Sequence, residues 1–173
     1  MNRIHLSIAA LALAVVLAVS GCGGSSSSGE GGAYGGGEST TTNEPAGSAS
    51  SEPVASIAVA NLSGGVGRAL VDSKGFTLYY FKKDKGGESA CYGACAQVWP
   101  PLTTGGAPVA KNGAEAAKLG TTKRSDGTVQ VTYAGWPLYT YEADRKPGEA
   151  NGADVDSFGA EWYALHPDGK KAG

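Results

Sequence analysis

Histidine, methionine and cysteine are scarce in this 173-residue chain, with two, one and three copies respectively. A dedicated zinc, copper or haem site draws on several such side chains. With His5 in the N-terminal segment expected to be removed and His166 standing alone, no metal or cofactor is expected. No basic run occurs either. The chain carries 14 Lys/Arg and 16 Asp/Glu. Setting aside Arg3 and Glu30, Glu38, Glu44 and Glu52 leaves 13 and 12 from Ile57 onward, a formal charge of +1. Nothing there would grip a phosphate backbone, which argues against nucleic acid as a partner. A phosphate-cradling glycine loop is missing, and His166 has no evident Ser or Cys partner. Catalysis would have to rest on carboxylates alone, so a non-enzymatic role is expected, with no catalytic residues assigned.

A long hydrophobic run is also lacking. The one apolar stretch, residues 8–19, is short of the roughly 20 residues that a membrane-crossing helix needs. With Arg3 ahead of it, it reads as the core of a secretory signal. Behind it stands Val19-Ser20-Gly21-Cys22, which resembles the lipobox of bacterial lipoproteins. Small residues let the extended chain enter a protease cleft, and the cysteine thiol can take a diacylglyceryl group as a thioether. The resemblance implies a signal peptide over 1–21, lipidation of Cys22, and anchoring at the extracytoplasmic face of the cell membrane. Two or more acyl chains, at about 0.8 kcal/mol per buried methylene, hold stably where one is marginal. Residues 22–56 are then a tether of Gly, Ser, Thr, Glu, Pro and Ala, with Tyr34 as its sole aromatic. Such a tract cannot offset its ordering entropy by burial, and its reach is about 30 Å.

Residues 57–170 are expected to form one domain, and they contain a repeat. Gly75-Phe76-Thr77-Leu78-Tyr79-Tyr80-Phe81-Lys82-Lys83-Asp84 stands 60 residues ahead of Gly135-Trp136-Pro137-Leu138-Tyr139-Thr140-Tyr141-Glu142-Ala143-Asp144, with glycine, aromatic, leucine, tyrosine, aromatic and aspartate in register. Val71 and Val131 also coincide, as do the turns Asp72-Ser73-Lys74-Gly75 and Thr132-Tyr133-Ala134-Gly135. Alternating β-branched and aromatic residues around glycine-ending turns predict a β-hairpin in each repeat core, 67–84 and 127–144. Further hairpins are expected at Arg124-Ser125-Asp126-Gly127-Thr128 and at Pro167-Asp168-Gly169. Helix signals are confined to residues 90–98 and 114–118. The fold class is therefore mainly β: a compact pseudo-symmetric domain of two β-hairpin repeats, with a small helix in each linking segment.

Tyr79-x-Phe81-x-x-Asp84 and Tyr139-x-Tyr141-x-x-Asp144 resemble the doubled Tyr-x-aromatic-x-x-Asp signature of a family of predicted bacterial lipoproteins, a secreted repeat of unknown function. Cys91-Tyr92-Gly93-Ala94-Cys95-Ala96-Gln97-Val98-Trp99-Pro100-Pro101-Leu102 is similar to that family's cysteine block. The resemblance covers residues 57–168 and implies no particular activity. Within each motif the tyrosine and the aromatic two residues on share a strand face. The aspartate lies past the strand end, placed to accept hydrogen bonds from the following turn, Lys85-Gly86-Gly87 or Arg145-Lys146-Pro147-Gly148. The alternative joins Asp84 and Asp144 in one cation or ligand site, though two carboxylates fall short of a calcium shell. Trp99, Trp136 and Trp162, with Tyr92, Tyr133 and Tyr163, are expected to pack the core and the repeat interface.

Apart from Cys22, the cysteines are Cys91 and Cys95. In an oxidising compartment such a pair usually forms a disulfide, and positions i and i+4 of a helix share a face. A redox pair more often has two intervening residues beside a βαβ unit, and c-type haem attachment needs histidine where Ala96 stands. The expected function is a membrane-anchored module that binds a small apolar molecule, a cell-wall component or a partner protein. The alternative is a redox or electron-transfer accessory working through Cys91 and Cys95.

Overall fold

A computed structural model describes residues 52–173. The expected signal peptide, Cys22 and nearly all of the expected tether lie outside the described residues. The domain is mainly β. Its strands are β1 (Ser56–Leu62), β2 (Gly67–Val71), β3 (Tyr79–Phe81), β4 (Val109–Ala110), β5 (Leu119–Lys123), β6 (Val129–Tyr133), β7 (Trp136–Pro137), β8 (Val155–Ser157) and β9 (Ala160–Ala164). Helix α1 (Ala94–Val98) and a 3-10 turn at Ala116–Lys118 complete it. Three small sheets run in the orders β2-β1-β4, β3-β9-β8 and β5-β6-β7. The chain is tied down before β1, where the Gly105 N–H donates to the Pro53 carbonyl and the Ala55 N–H to Thr104 Oγ1. The ordered domain thus begins a few residues ahead of the expected tether end.

The two repeats are interlocked rather than side by side. In the first, the Leu78 N–H donates to the Leu70 carbonyl (2.9 Å); in the second, Leu138 donates to Val131 (3.0 Å). Each hairpin is then completed by a strand from the other repeat. Leu165 bridges Leu70 and Leu78, accepting from Leu70 N–H (2.8 Å) and donating to the Leu78 carbonyl (3.1 Å). Leu102 serves Val131 and Leu138 in the same way, at 2.8 and 2.9 Å. Leu70, Leu78, Val131, Leu138 and Leu165 are buried together with Ile57, Tyr80 and Tyr133 in one of two apolar clusters.

This pattern corrects the expected match of Val71 with Val131: the equivalent of Val131 is Leu70. The cause is a turn one residue longer in the first repeat. Ser73-Lys74-Gly75 is held between Asp72 and Phe76, with Asp72 Oδ1 accepting from the N–H groups of Lys74 (2.8 Å) and Phe76 (2.9 Å). The second turn is only Ala134-Gly135, at φ 49° and 82°, between the paired Tyr133 and Trp136. Positive φ at both positions is what a two-residue hairpin turn requires. The hairpin turn after Lys123 forms as expected, with Arg124 N–H to the Thr128 carbonyl at 2.9 Å. The one after Leu165 also forms, with His166 N–H to the Lys170 carbonyl at 2.8 Å.

The expected helix over 90–98 is shorter and starts at Ala94. Gly93, at φ 58° and ψ −124°, interrupts it. The preceding N–H groups go elsewhere, Ala90 to Asp84 Oδ1 (2.7 Å) and Cys91 to Ser89 Oγ (3.2 Å). The second expected helix, over 114–118, is a single 3-10 turn at Ala116–Lys118.

Candidate functional site

The two signature strands meet at the pseudo-twofold axis. Tyr79 and Tyr139 exchange both backbone bonds, N–H to carbonyl, at 2.9 and 3.0 Å. Their side chains cross over as well. The Tyr79 hydroxyl donates to Asp144 Oδ2 (2.7 Å) and the Tyr139 hydroxyl donates to Asp84 Oδ2 (2.8 Å). Each tyrosine is thus bonded to the aspartate of the opposite repeat. The other oxygens accept backbone bonds, Asp84 Oδ1 from Ala90 and Asp144 Oδ1 from Asn151 (2.9 Å). These donors lie beyond the turns expected to supply them, because the chain loops back over each carboxylate before donating.

All four groups are buried. Burial pushes the Asp84 carboxyl up to about 6, against the lowering pull of Ala90, Tyr139 and the Arg124 guanidinium. Asp144 is raised for the same reason, opposed by its bonds from Tyr79 and Asn151. Both tyrosine hydroxyls are held well above their ordinary range. Burial leads in each case, reinforced by the Asp144 carboxylate for Tyr79 and the Asp84 carboxylate for Tyr139. They therefore stay protonated and act as donors.

The aromatic halves of the motifs build a four-ring stack in the order Phe81, Trp162, Trp99, Tyr141. The centroid spacings are 4.1, 4.0 and 4.1 Å, with interplanar angles of 8°, 2° and 21°. The order alternates between repeats. Tyr79 and Tyr139 stand edge-on to Trp99 and Trp162 at 5.5 and 5.1 Å. Gly152 closes the side of the stack, since a Cβ there would lie 2.8 Å from two Trp99 carbons. Trp99, Trp162 and Tyr133 are fully buried, Trp136 and Tyr163 half-buried, and Tyr92 exposed. The expected core packing therefore holds for the first three and fails for Tyr92, whose ring lies beside the Arg124 guanidinium at 4.3 Å.

Arg124, Gln130 and Ser89 are functional neighbours that the sequence did not single out. The Arg124 guanidinium donates to Ser89 Oγ (2.7 Å), Gln130 Oε1 (2.8 Å), the Cys91 carbonyl (2.8 Å) and Asp126 Oδ2 (3.2 Å). Ser89 Oγ lies 2.8 Å from the Tyr139 hydroxyl, so one chain of bonds joins Arg124 to Asp84. At the head of a surface-type turn, Arg124 gave no hint of burial. On the Asp144 side the Tyr79 hydroxyl accepts from the Gly152 N–H at 3.3 Å, with no arginine in its network among the described residues.

Cys91 and Cys95 form a disulfide with a Cα–Cα distance of 5.3 Å. Cys91 precedes α1 and Cys95 lies within it, so the pair does not share a helix face as the spacing suggested. Both are buried, at 0% and 6% exposure. The bond closes the loop that carries the Cys91 carbonyl to Arg124.

Asp84 and Asp144 do not converge on one site; each is engaged in its own network. Among the described residues, no cluster of three or more His, Cys, Asp or Glu could hold a metal, and no helix is long and apolar enough to cross a membrane. Each aspartate instead underlies an open cleft beside the other repeat's hairpin tip. The cleft at Asp84 has a volume of about 360 Å³ and is lined by Gly86, Gly87, Ala134, Gly135 and Trp136. The cleft at Asp144, about 240 Å³, is lined by Asp72, Lys74, Phe76 and residues 140–142.

A family of secreted repeats of unknown function matches residues 63–103 and 120–166, one match for each repeat. The chain belongs to this family. Its two segments coincide with the interlocked halves, each containing one Tyr-x-aromatic-x-x-Asp motif. Membership implies a location outside the cytoplasm. No curated protein and no solved structure matches the chain.

Proposed function

We propose that the protein is a lipid-anchored, extracytoplasmic binding module: cut before Cys22, lipidated there, and carrying its domain on the tether that follows. The observation that carries the binding role is the crossed pairing of Tyr79 with Asp144 and Tyr139 with Asp84. The family's signature side chains are committed to holding the repeats together. Among the open clefts that the domain offers solvent are the two at the hairpin tips, places for recognition rather than for an acid–base pair.

Burial of both cysteines supports a structural disulfide over the redox alternative, since thiol exchange needs an accessible sulfur. The anchor is tested by fractionation. Wild-type protein should sediment with membranes and take up labelled palmitate, whereas Cys22→Ser should be soluble and unlabelled. A Cys22→Ser protein that stays in the membrane would overturn the anchor. Native mass spectrometry of the soluble variant against cell-envelope extracts tests the binding role, and the absence of any retained molecule would count against it.

A further inference from the structure

The two clefts are related by the pseudo-twofold but differ in volume and in how the hairpin tip beside them is held. At the Asp144 end the hairpin tip is clamped. A Cβ on Gly75 would lie 3.1 Å from Pro147 Cβ, and the Gly148 N–H donates to the Gly75 carbonyl at 3.0 Å. At the Asp84 end the same meeting is between two glycines. Gly87 stands where the other repeat has Pro147, and a Cβ on it would lie 3.6 Å from the Gly135 carbonyl oxygen. No backbone bond joins tip to loop there. The N–H groups of Gly86 and Gly87 and the carbonyl of Gly135 have no intramolecular partner among the described residues.

Trp136 completes the wall. Trp99 and Trp162 donate their indole N–H groups to Ser157, at 3.2 Å each. Trp136 Nε1 has no such partner among the described residues, and its ring is backed by Tyr80 at 4.6 Å. The only ionisable group in the lining is Asp84, and both its oxygens already accept bonds, from Ala90 and Tyr139. The residues lining the cleft therefore bring one supported aromatic ring, two free backbone donors, one free acceptor and no uncommitted charge. An ion gains little from that set, and an apolar molecule would strand the donors. A hydroxyl-rich ring with an apolar face satisfies all of it.

Resting on the binding-module reading, we infer that this cleft is a saccharide site. A neutral pyranose ring of the kind found in wall glycans lies against Trp136, with its hydroxyls bonded to Gly86 and Gly87 N–H and to the Gly135 carbonyl. The test uses the otherwise full-length Cys22→Ser protein, titrated with cellotriose and with a β-1,4-linked N-acetylglucosamine trisaccharide. Because Trp99 and Trp162 are wholly buried, a ligand-induced change in tryptophan emission or in acrylamide quenching reports Trp136. One of the sugars should give a saturable change. Trp136→Ala should weaken binding, followed by calorimetry, by about tenfold or more.

Since Trp136 also packs on Tyr80, Gly86→Asn serves as the second variant. Its φ of 62° suits asparagine and its Cβ would meet nothing within 4 Å, so the fold is retained while the cleft is crowded. It too should weaken binding. No saturable change with either sugar up to about 10 mM, or binding indifferent to both substitutions, overturns the inference. If native mass spectrometry shows a different ligand retained equally by both variants, the saccharide site fails and the module reading survives. If no ligand of any class is retained, both fail.

Discussion

Replacing Tyr139 with phenylalanine removes one oxygen and leaves the ring in place. That oxygen donates to Asp84 Oδ2 at 2.8 Å and lies 2.8 Å from Ser89 Oγ, with Asp84 only 3% exposed. A hydrogen bond to a buried charged acceptor contributes about 1.5–3 kcal/mol, and an acceptor left unsatisfied costs at least as much. Part of the Asp84 charge stays compensated by Ala90 and Arg124, so we expect a loss of about 2 kcal/mol at pH 8. The loss should shrink at pH 5, where Asp84 is largely protonated and has less anionic charge to stabilise. Urea unfolding at both pH values, followed by tryptophan emission, measures it. Pairing the change with Asp84→Asn in a double-mutant cycle should give a coupling of about 1 kcal/mol or more. A Tyr139→Phe protein within about 0.5 kcal/mol of wild type at pH 8, or strictly additive costs, would refute the interlock as a source of stability.

Three further outcomes are expected. Asp84 titrates near 6 when folded against 3.8 as its ordinary value, so the folded state holds more protons between those values and its stability falls as pH rises. Asp144 shifts in the same direction. Unfolding free energy should be higher at pH 5 than at pH 7 by about 1 kcal/mol from Asp84 alone; an increase with pH over that window, abolished by Asp84→Asn, would contradict the assignment. Gly152→Ala drives a methyl against Trp99 and Tyr79 and should lower stability by about 1–3 kcal/mol, with a thermal melt unchanged from wild type as the refuting result. Reducing Cys91–Cys95 should cost about 2 kcal/mol for so short a loop and leave the domain folded, measured by denaturant titration with and without reductant; unfolding on reduction at 25 °C would show a larger role.

The repeat was legible because identical residue types recur at a fixed offset, and mainly-β structure because alternation and glycine turns are local signals. The register before the turn was not legible. Val71 and Val131 match by letter, while a single extra turn residue, fixed by the bonds to Asp72 Oδ1, shifts the pairing to Leu70. The helix over 90–98 was overdrawn because Ala90 donates to a carboxylate six residues back, a tertiary bond no local pattern reveals. The crossed tyrosine–aspartate pairs escaped for the same reason. Spacing shows which residues recur, whereas the exchange of strands between repeats decides which recurrence meets which. Arg124 was hidden by its position in a turn, although it is one of the most buried charged residues in the domain.

The most direct measurement on the whole account is the intact mass of protein extracted from the membranes of producing cells. It should correspond to a chain beginning at Cys22, heavier than its residues by a diacylglyceryl group and, where N-acylation follows, one acyl chain more. Its mass should also show the loss of two hydrogens for Cys91–Cys95. A chain that retains residues 1–21, or one that starts at Cys22 without added lipid, would contradict it.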